Sequence, residues 1–101
     1  MAGEEKKLEN QIKKYLKDNG AYIVKYHGGT YSKSGVPDLL VCYRGVFIGL
    51  EIKKPSGGKV TDLQEYHIDQ IQEAGGYASI ICTMSQLFNL LSYIDEVVDR
   101  D

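Results

Sequence analysis

One hundred and one residues give room for one domain with one core, and 43% apolar residues suffice to fill it. The 26% charged fraction is ordinary, and fourteen acids against twelve basic residues leave a net charge of −2. That total speaks against a strongly basic nucleic-acid binder, and the apolar runs are too short for a helix that spans a bilayer. The total hides an uneven distribution, however. Residues 1–20 hold five lysines and four acids, residues 21–60 six basic and two acidic side chains, and residues 61–101 one arginine and eight acids. A polyanionic partner is therefore expected at the basic middle of the chain.

The chain opens on Glu4 to Asn19, where Leu8, Ile12, Tyr15 and Leu16 fall on one helical stripe and Asn19-Gly20 is a stop signal. The charged stretch Met1 to Lys7 is no signal peptide. Ala21 to Tyr26 reads as a strand, and His27 to Gly35 as a flexible loop. Pro37 to Tyr43 and Val46 to Lys54 are two further strands, joined by a two-residue turn at Arg44-Gly45. Pro55 to Lys59 is a second glycine-containing loop. Thr61 opens a helix ending at Gly75-Gly76, and Thr61-x-x-Gln64 has the form of a capping box. Tyr77 to Thr83 is a fourth strand, and Ser85 to about Val98 an amphipathic helix with Leu87, Leu90, Leu91 and Ile94 inward. The order α-β-β-β-α-β-α predicts an α/β domain, a mixed sheet flanked by helices, over residues 1–101. Cys42 and Cys82 sit inside apolar runs and are expected as buried thiols of a reducing, cytoplasmic compartment.

The hairpin carries the sharpest expectation. With Arg44-Gly45 as the turn, Tyr43 faces Val46, Leu40 faces Gly49 and Asp38 faces Glu51. Opposed residues share a face, with Cβ atoms about 4.5–5.5 Å apart. Lys53 alternates onto the face of Glu51. Two carboxylates about 5 Å apart repel by about 3 kcal/mol at an effective dielectric near 20. Three things relieve this: a proton on one group, the ammonium of Lys53, or a bound hard cation. Solvent exposure would also make the pair harmless. Against that, Leu39-Leu40-Val41 and Leu50-Glu51-Ile52 read as strands covered on both sides.

These residues fall into a known pattern. Gly35-Val36-Pro37-Asp38 followed by Glu51-Ile52-Lys53 resembles the PD-(D/E)xK nuclease signature. With Glu9 on the first helix and Gln64 opening the next, the whole resembles the virus-type replication-repair nuclease (VRR-NUC) family over roughly residues 5–85. The resemblance implies a restriction-endonuclease-like fold with an αβββαβ core, here followed by one more helix. It implies a metal-dependent DNA endonuclease, with Asp38, Glu51 and the backbone carbonyl of Ile52 holding Mg²⁺ or Mn²⁺. By the same resemblance, Glu9, Lys53 and Gln64 would complete the catalytic set. It further implies a homodimer acting on branched DNA such as a four-way (Holliday) junction. A flap- or nick-directed nuclease and a non-catalytic DNA-binding module are the alternatives.

Some of these residues have plainer explanations too. Lys53 could be a strand-edge partner of Glu51. Glu9 could be a solvated acid paired with Lys13 at i+4, and the capping box alone accounts for Gln64. His67, one turn on, reads as a half-buried helix histidine. Lys25, His27, Tyr31, Lys33, Lys54 and Lys59 bracket the catalytic hairpin and are expected to meet the DNA backbone. Asp62, Glu65, Asp69 and Glu73 are expected to face away from it. Leu87, Leu91 and Tyr93 either close the core or contribute a dimer contact.

Overall fold

The computed structural model describes residues 3–28 and 33–100 of the chain. Tyr31 lies outside the described residues. The elements are α1 (Glu4–Asp18), β1 (Tyr22–Lys25), β2 (Leu39–Tyr43), β3 (Val46–Ile52), α2 (Asp62–Glu73), β4 (Tyr77–Ile81) and α3 (Met84–Arg100). All seven expected elements are present in the expected order, and their bounds differ by one or two residues. The strands are mostly shorter at their outer ends, because Pro37, Asp38, Lys53 and Lys54 lie beyond the last ladder pairs.

One four-stranded sheet runs in the order β1-β2-β3-β4. The first three strands form an antiparallel meander, and β4 joins β3 in parallel through α2. The hairpin register is Tyr43 to Val46, Leu40 to Gly49 and Leu39 to Leu50, as the turn required. The turn has φ of 51° at Arg44 and 81° at Gly45, the two positive values of a type I′ turn. For an arginine that conformation costs roughly 1–2 kcal/mol. Ion pairs hold it in place: the guanidinium of Arg44 meets Asp95 at 3.1 Å and Asp99 at 2.7 Å on α3. The hydroxyl of Tyr43 donates to the same Asp95 at 2.7 Å. The turn is thereby fastened to the last helix.

Helices α1 and α3 share one face of the sheet. Leu8, Ile12 and Leu16 of α1 and Leu87, Leu91 and Ile94 of α3 close over Leu39, Val41, Ile48, Leu50, Ile52 and Ile81. Each fully buried Leu or Ile stabilises the fold by roughly 1.5–3 kcal/mol. Leu87 and Leu91 thus close the core, while Tyr93 remains 53% exposed, its ring set edge-on to Tyr77. Helix α2 lies on the other face. A Cβ on Gly49 would stand 2.8 Å from Ile71, so a glycine there lets α2 approach β3.

Coverage of that second face is incomplete. No residue of α2 is fully buried, and Tyr22, Val24 and Phe47 remain exposed on the side of β1 and β2. The expectation of strands covered on both sides therefore needs correction for β2. Cys42 is exposed and Cys82 half-buried, both as free thiols, which corrects the expectation that both are buried. An apolar run fills the inner face of β2, but α2 is docked over β3 and β4 and does not reach Cys42. Among the described residues no helix is long and apolar enough to cross a membrane.

Candidate active site

Strands β1 and β3 end where β2 begins, so three chain segments converge at one end of the sheet. Asp38 is the residue just before β2, and Glu51 is the penultimate residue of β3. The ladder stops at Leu39–Leu50. In place of the next bond, Asp38 Oδ2 accepts the amide of Ile52 at 2.9 Å. The carboxylate of Asp38 thereby caps the open end of the β2–β3 pair. The carbonyl of Ile52 shares that strand edge with its amide, because a β-residue presents both groups to the same neighbour.

Glu51 is 4% exposed and surrounded by three groups. Lys53 Nζ stands 3.7 Å from Oε2, and Gln64 Nε2 donates to the same oxygen at 3.2 Å. The third group is Asp38. Burial first, and the charge on Asp38 second, push the Glu51 carboxyl well above the usual carboxylate range, against the pull of Lys53. The like-charge tension expected from the hairpin register is thus present. Among the described residues no donor outside the pair reaches Asp38 Oδ1 or Glu51 Oε1, and the two carboxyl groups are close enough to share a hydrogen bond.

Two glycines shape the surroundings. Gly35 has φ of 84°, and a Cβ there would stand 2.7 Å from the backbone carbonyl of Leu63 and 3.0 Å from the amide of Gln64. The first turn of α2 therefore rests on the Gly35-Val36-Pro37-Asp38 segment. The stem of Lys53 lies under Gly58, where a Cβ would come within 3.2 Å of its Cδ. The second loop thus packs over the lysine.

Gln64 serves both purposes considered for it. Thr61 Oγ1 accepts the amide of Gln64 at 3.1 Å, and Gln64 Oε1 accepts the amide of Thr61 at 3.0 Å. The capping box uses the oxygen of the side-chain amide, and the site uses its nitrogen. His67 is half-buried beside Phe47 and Ile71 on the same helix.

Glu9 stands apart from this group. It is 5% exposed, on the helix of the opposite sheet face, and no hydrogen bond or ion pair among the described residues joins it to Glu51. Lys25 of β1 reaches it at 2.6 Å, Lys6 at 3.2 Å and Lys13 at 3.3 Å. The Lys13 contact is the expected i+4 pair, but it is made by a buried carboxylate. Burial alone would raise the carboxyl, and the bonds from Lys25, Lys6 and Lys13 more than offset it, lowering it to about 2. Lys25, expected to face DNA, is half-buried by this contact. His27, Lys33, Lys54 and Lys59 are exposed at the sheet end of the carboxylate pair. The acids Asp62, Glu65, Asp69 and Glu73 are all exposed. The i+3 spacing of Lys6 is a local signal for its pairing with Glu9, whereas nothing local links Lys25 to it.

No family model matches the sequence, and no curated protein does. A solved structure described as a "VRR_NUC domain" matches with a TM-score of 0.78 and 25% identity, over 90% of this chain and 97% of that one. The mixed four-stranded sheet with its flanking helices is consistent with the restriction-endonuclease-like fold of PD-(D/E)xK nucleases. Within that class, the likeness supports the VRR-NUC family.

Proposed function

We propose that residues 1–101 form a single nuclease domain that hydrolyses phosphodiester bonds in branched DNA with a divalent cation, acting on four-way junctions as a homodimer. One observation carries the reading: Asp38 and Glu51 meet at the end of the sheet with Lys53 and Gln64 around them. A domain that only binds DNA has no use for two opposed, partly desolvated acids.

The donor set fits a hard cation. Among the described residues no group of three or more His, Cys, Asp or Glu side chains could hold a metal. Two carboxylates and a carbonyl, with water and substrate phosphate completing the shell, match the sparse protein ligation of Mg²⁺ and the closely related Mn²⁺. Asp38, Glu51 and the carbonyl of Ile52 would hold the ion. An ion held there would supply a water of lowered pKa and offset phosphoryl charge. Lys53 supplies a fixed ammonium beside the scissile phosphate, where negative charge develops. Gln64 holds the orientation of Glu51 through Oε2. Glu9 fixes Lys25 at the edge of the same sheet end. Lys25, His27, Tyr31, Lys33, Lys54 and Lys59 bind backbone phosphates.

The test is cleavage of labelled four-way junction, flap and linear duplex DNA with Mg²⁺ or Mn²⁺. Asp38→Asn and Lys53→Ala are expected to abolish cleavage, as is EDTA. Paired symmetric nicks on the junction support the resolvase reading. Preferential cutting of flaps or nicked DNA replaces it with a flap or nick nuclease, and binding without cleavage replaces it with a binding module. A monomer by light scattering at working concentration would count against coordinated double cutting, since a two-fold substrate calls for a two-fold enzyme.

A further inference from the structure

A recess of about 610 Å³ on the α1 side of the sheet is lined by Lys13, Lys14, Lys17, Asp18, Ile23 and Lys25. Its charge is unbalanced. Glu9 is one carboxylate shared by three ammonium groups, those of Lys6, Lys13 and Lys25. Lys14 is neutralised by Asp18 at 2.9 Å. Among the described residues Lys17 has no acidic partner. The buried Glu9 thus draws together more positive charge than it cancels, at the rim of an open groove.

One end of the groove lies at the same end of the sheet as the carboxylate pair, on the opposite face. Lys25 closes it at one end and lies beside Leu39 in the ladder, and the next residue, Tyr26, donates its amide to the carbonyl of Asp38 at 2.8 Å. From Lys6 to Lys17 the helix rises about 16 Å. That matches roughly five base pairs of duplex at about 3.4 Å each.

We propose that the lysine groove between α1 and β1 is a second DNA-backbone site, which holds the phosphates of an arm leading away from the cleavage centre. The proposal rests on the nuclease reading and adds to it a binding surface on the sheet face opposite Glu51. Lys14 and Lys17 touch no residue of the proposed chemistry, and Lys13 reaches it only through Glu9.

The experiment measures affinity for a labelled duplex of about 30 base pairs by fluorescence anisotropy in EDTA, against salt concentration. The wild-type chain is compared with Lys13→Gln/Lys14→Gln/Lys17→Gln and with the matching triple Lys→Arg variant. The Gln variant is expected to bind on the order of tenfold more weakly near 0.1 M salt, with a log–log salt slope shallower by about 2–3. The Arg variant keeps both properties, and circular dichroism shows all three chains folded. An unchanged slope in the Gln variant overturns the proposal, as does equal loss in the Arg variant or no binding by the wild type. Mn²⁺-dependent nicking of supercoiled DNA by the wild type is scored separately. Failure of the nuclease reading, seen as no nicking, is therefore told apart from failure of the groove, seen as an unchanged slope.

Discussion

Gln64 donates from Nε2 to Glu51 Oε2 at 3.2 Å while its Oε1 accepts the amide of Thr61 at 3.0 Å. One planar amide thus ties the start of α2 to the carboxylate of β3. The two duties separate by substitution. Gln64→Glu retains an acceptor for the cap but sets a third carboxylate against Glu51. It is expected to lower the cleavage rate by about 10- to 100-fold, the loss of a hydrogen bond to a charged group worth about 1.5–3 kcal/mol. Gln64→Ala loses the cap as well, and melts lower by a further effect of about 1 kcal/mol. Equal cleavage by wild type and Gln64→Glu would remove Gln64 from the site.

The tension between Asp38 and Glu51 has a stability signature. Asp38→Asn or Glu51→Gln removes one of two opposed charges while keeping the shape. Each is expected to raise the melting temperature in EDTA by several degrees, equivalent to about 1 kcal/mol, while abolishing cleavage. Added Mn²⁺ is expected to raise the melting temperature of the wild type more than that of either variant. A lower melting temperature for both variants would mean that the pair is not under tension.

Glu9 governs acid stability. Its carboxyl is held at about 2 in the folded chain, below the ordinary 4.5. A depressed folded value means the contribution is fully present above about pH 4.5 and is lost as pH falls towards 2. The shift corresponds to at most about 3 kcal/mol, less what solvent screens at the exposed lysines. Unfolding free energy measured by urea titration is expected to fall across that window in the wild type. Glu9→Gln should be less stable at pH 7 and flatter below pH 4.5, and a parallel decline in both proteins would contradict this.

Gly35 and Gly45 make a controlled pair. Both have positive φ, 84° and 81°, but a Cβ at 45 meets open space and one at 35 meets the backbone of Leu63. Gly45→Ala is expected to cost about 1–2 kcal/mol of backbone strain and leave cleavage intact. Gly35→Ala adds a displacement of the α2 start, so it should lose more stability and also cleavage, because Gln64 moves with that turn. Thermal melts and nicking assays on the two variants check both halves.

The register of the hairpin was legible because a turn of two residues leaves no freedom in who faces whom. Asp38, Glu51 and Lys53 followed from it by alternation. Gln64 was legible through its cap, since the capping box is a local pattern. Glu9 was legible as an edge residue of the α1 stripe, but its partner Lys25 is sixteen residues away on another element, and no local period links them. The anchoring of Arg44 to Asp95 and Asp99 spans more than fifty residues and was invisible for the same reason. The exposure of Cys42 was misjudged because an apolar run records what a strand tolerates, and how far a helix extends over it depends on where that helix docks.

Helix α2 has no fully buried residue, yet it brings Gln64 to Glu51. The sheet and the α1–α3 layer carry the buried core, so the free energy that holds the two halves of the site together differs from that which holds the sheet. Local opening of α2 costs less than global unfolding, and amide exchange along Asp62–Glu73 should run ahead of exchange in β3. On that expectation the carboxylates stay with the sheet, while Gln64 follows a helix that opens more readily.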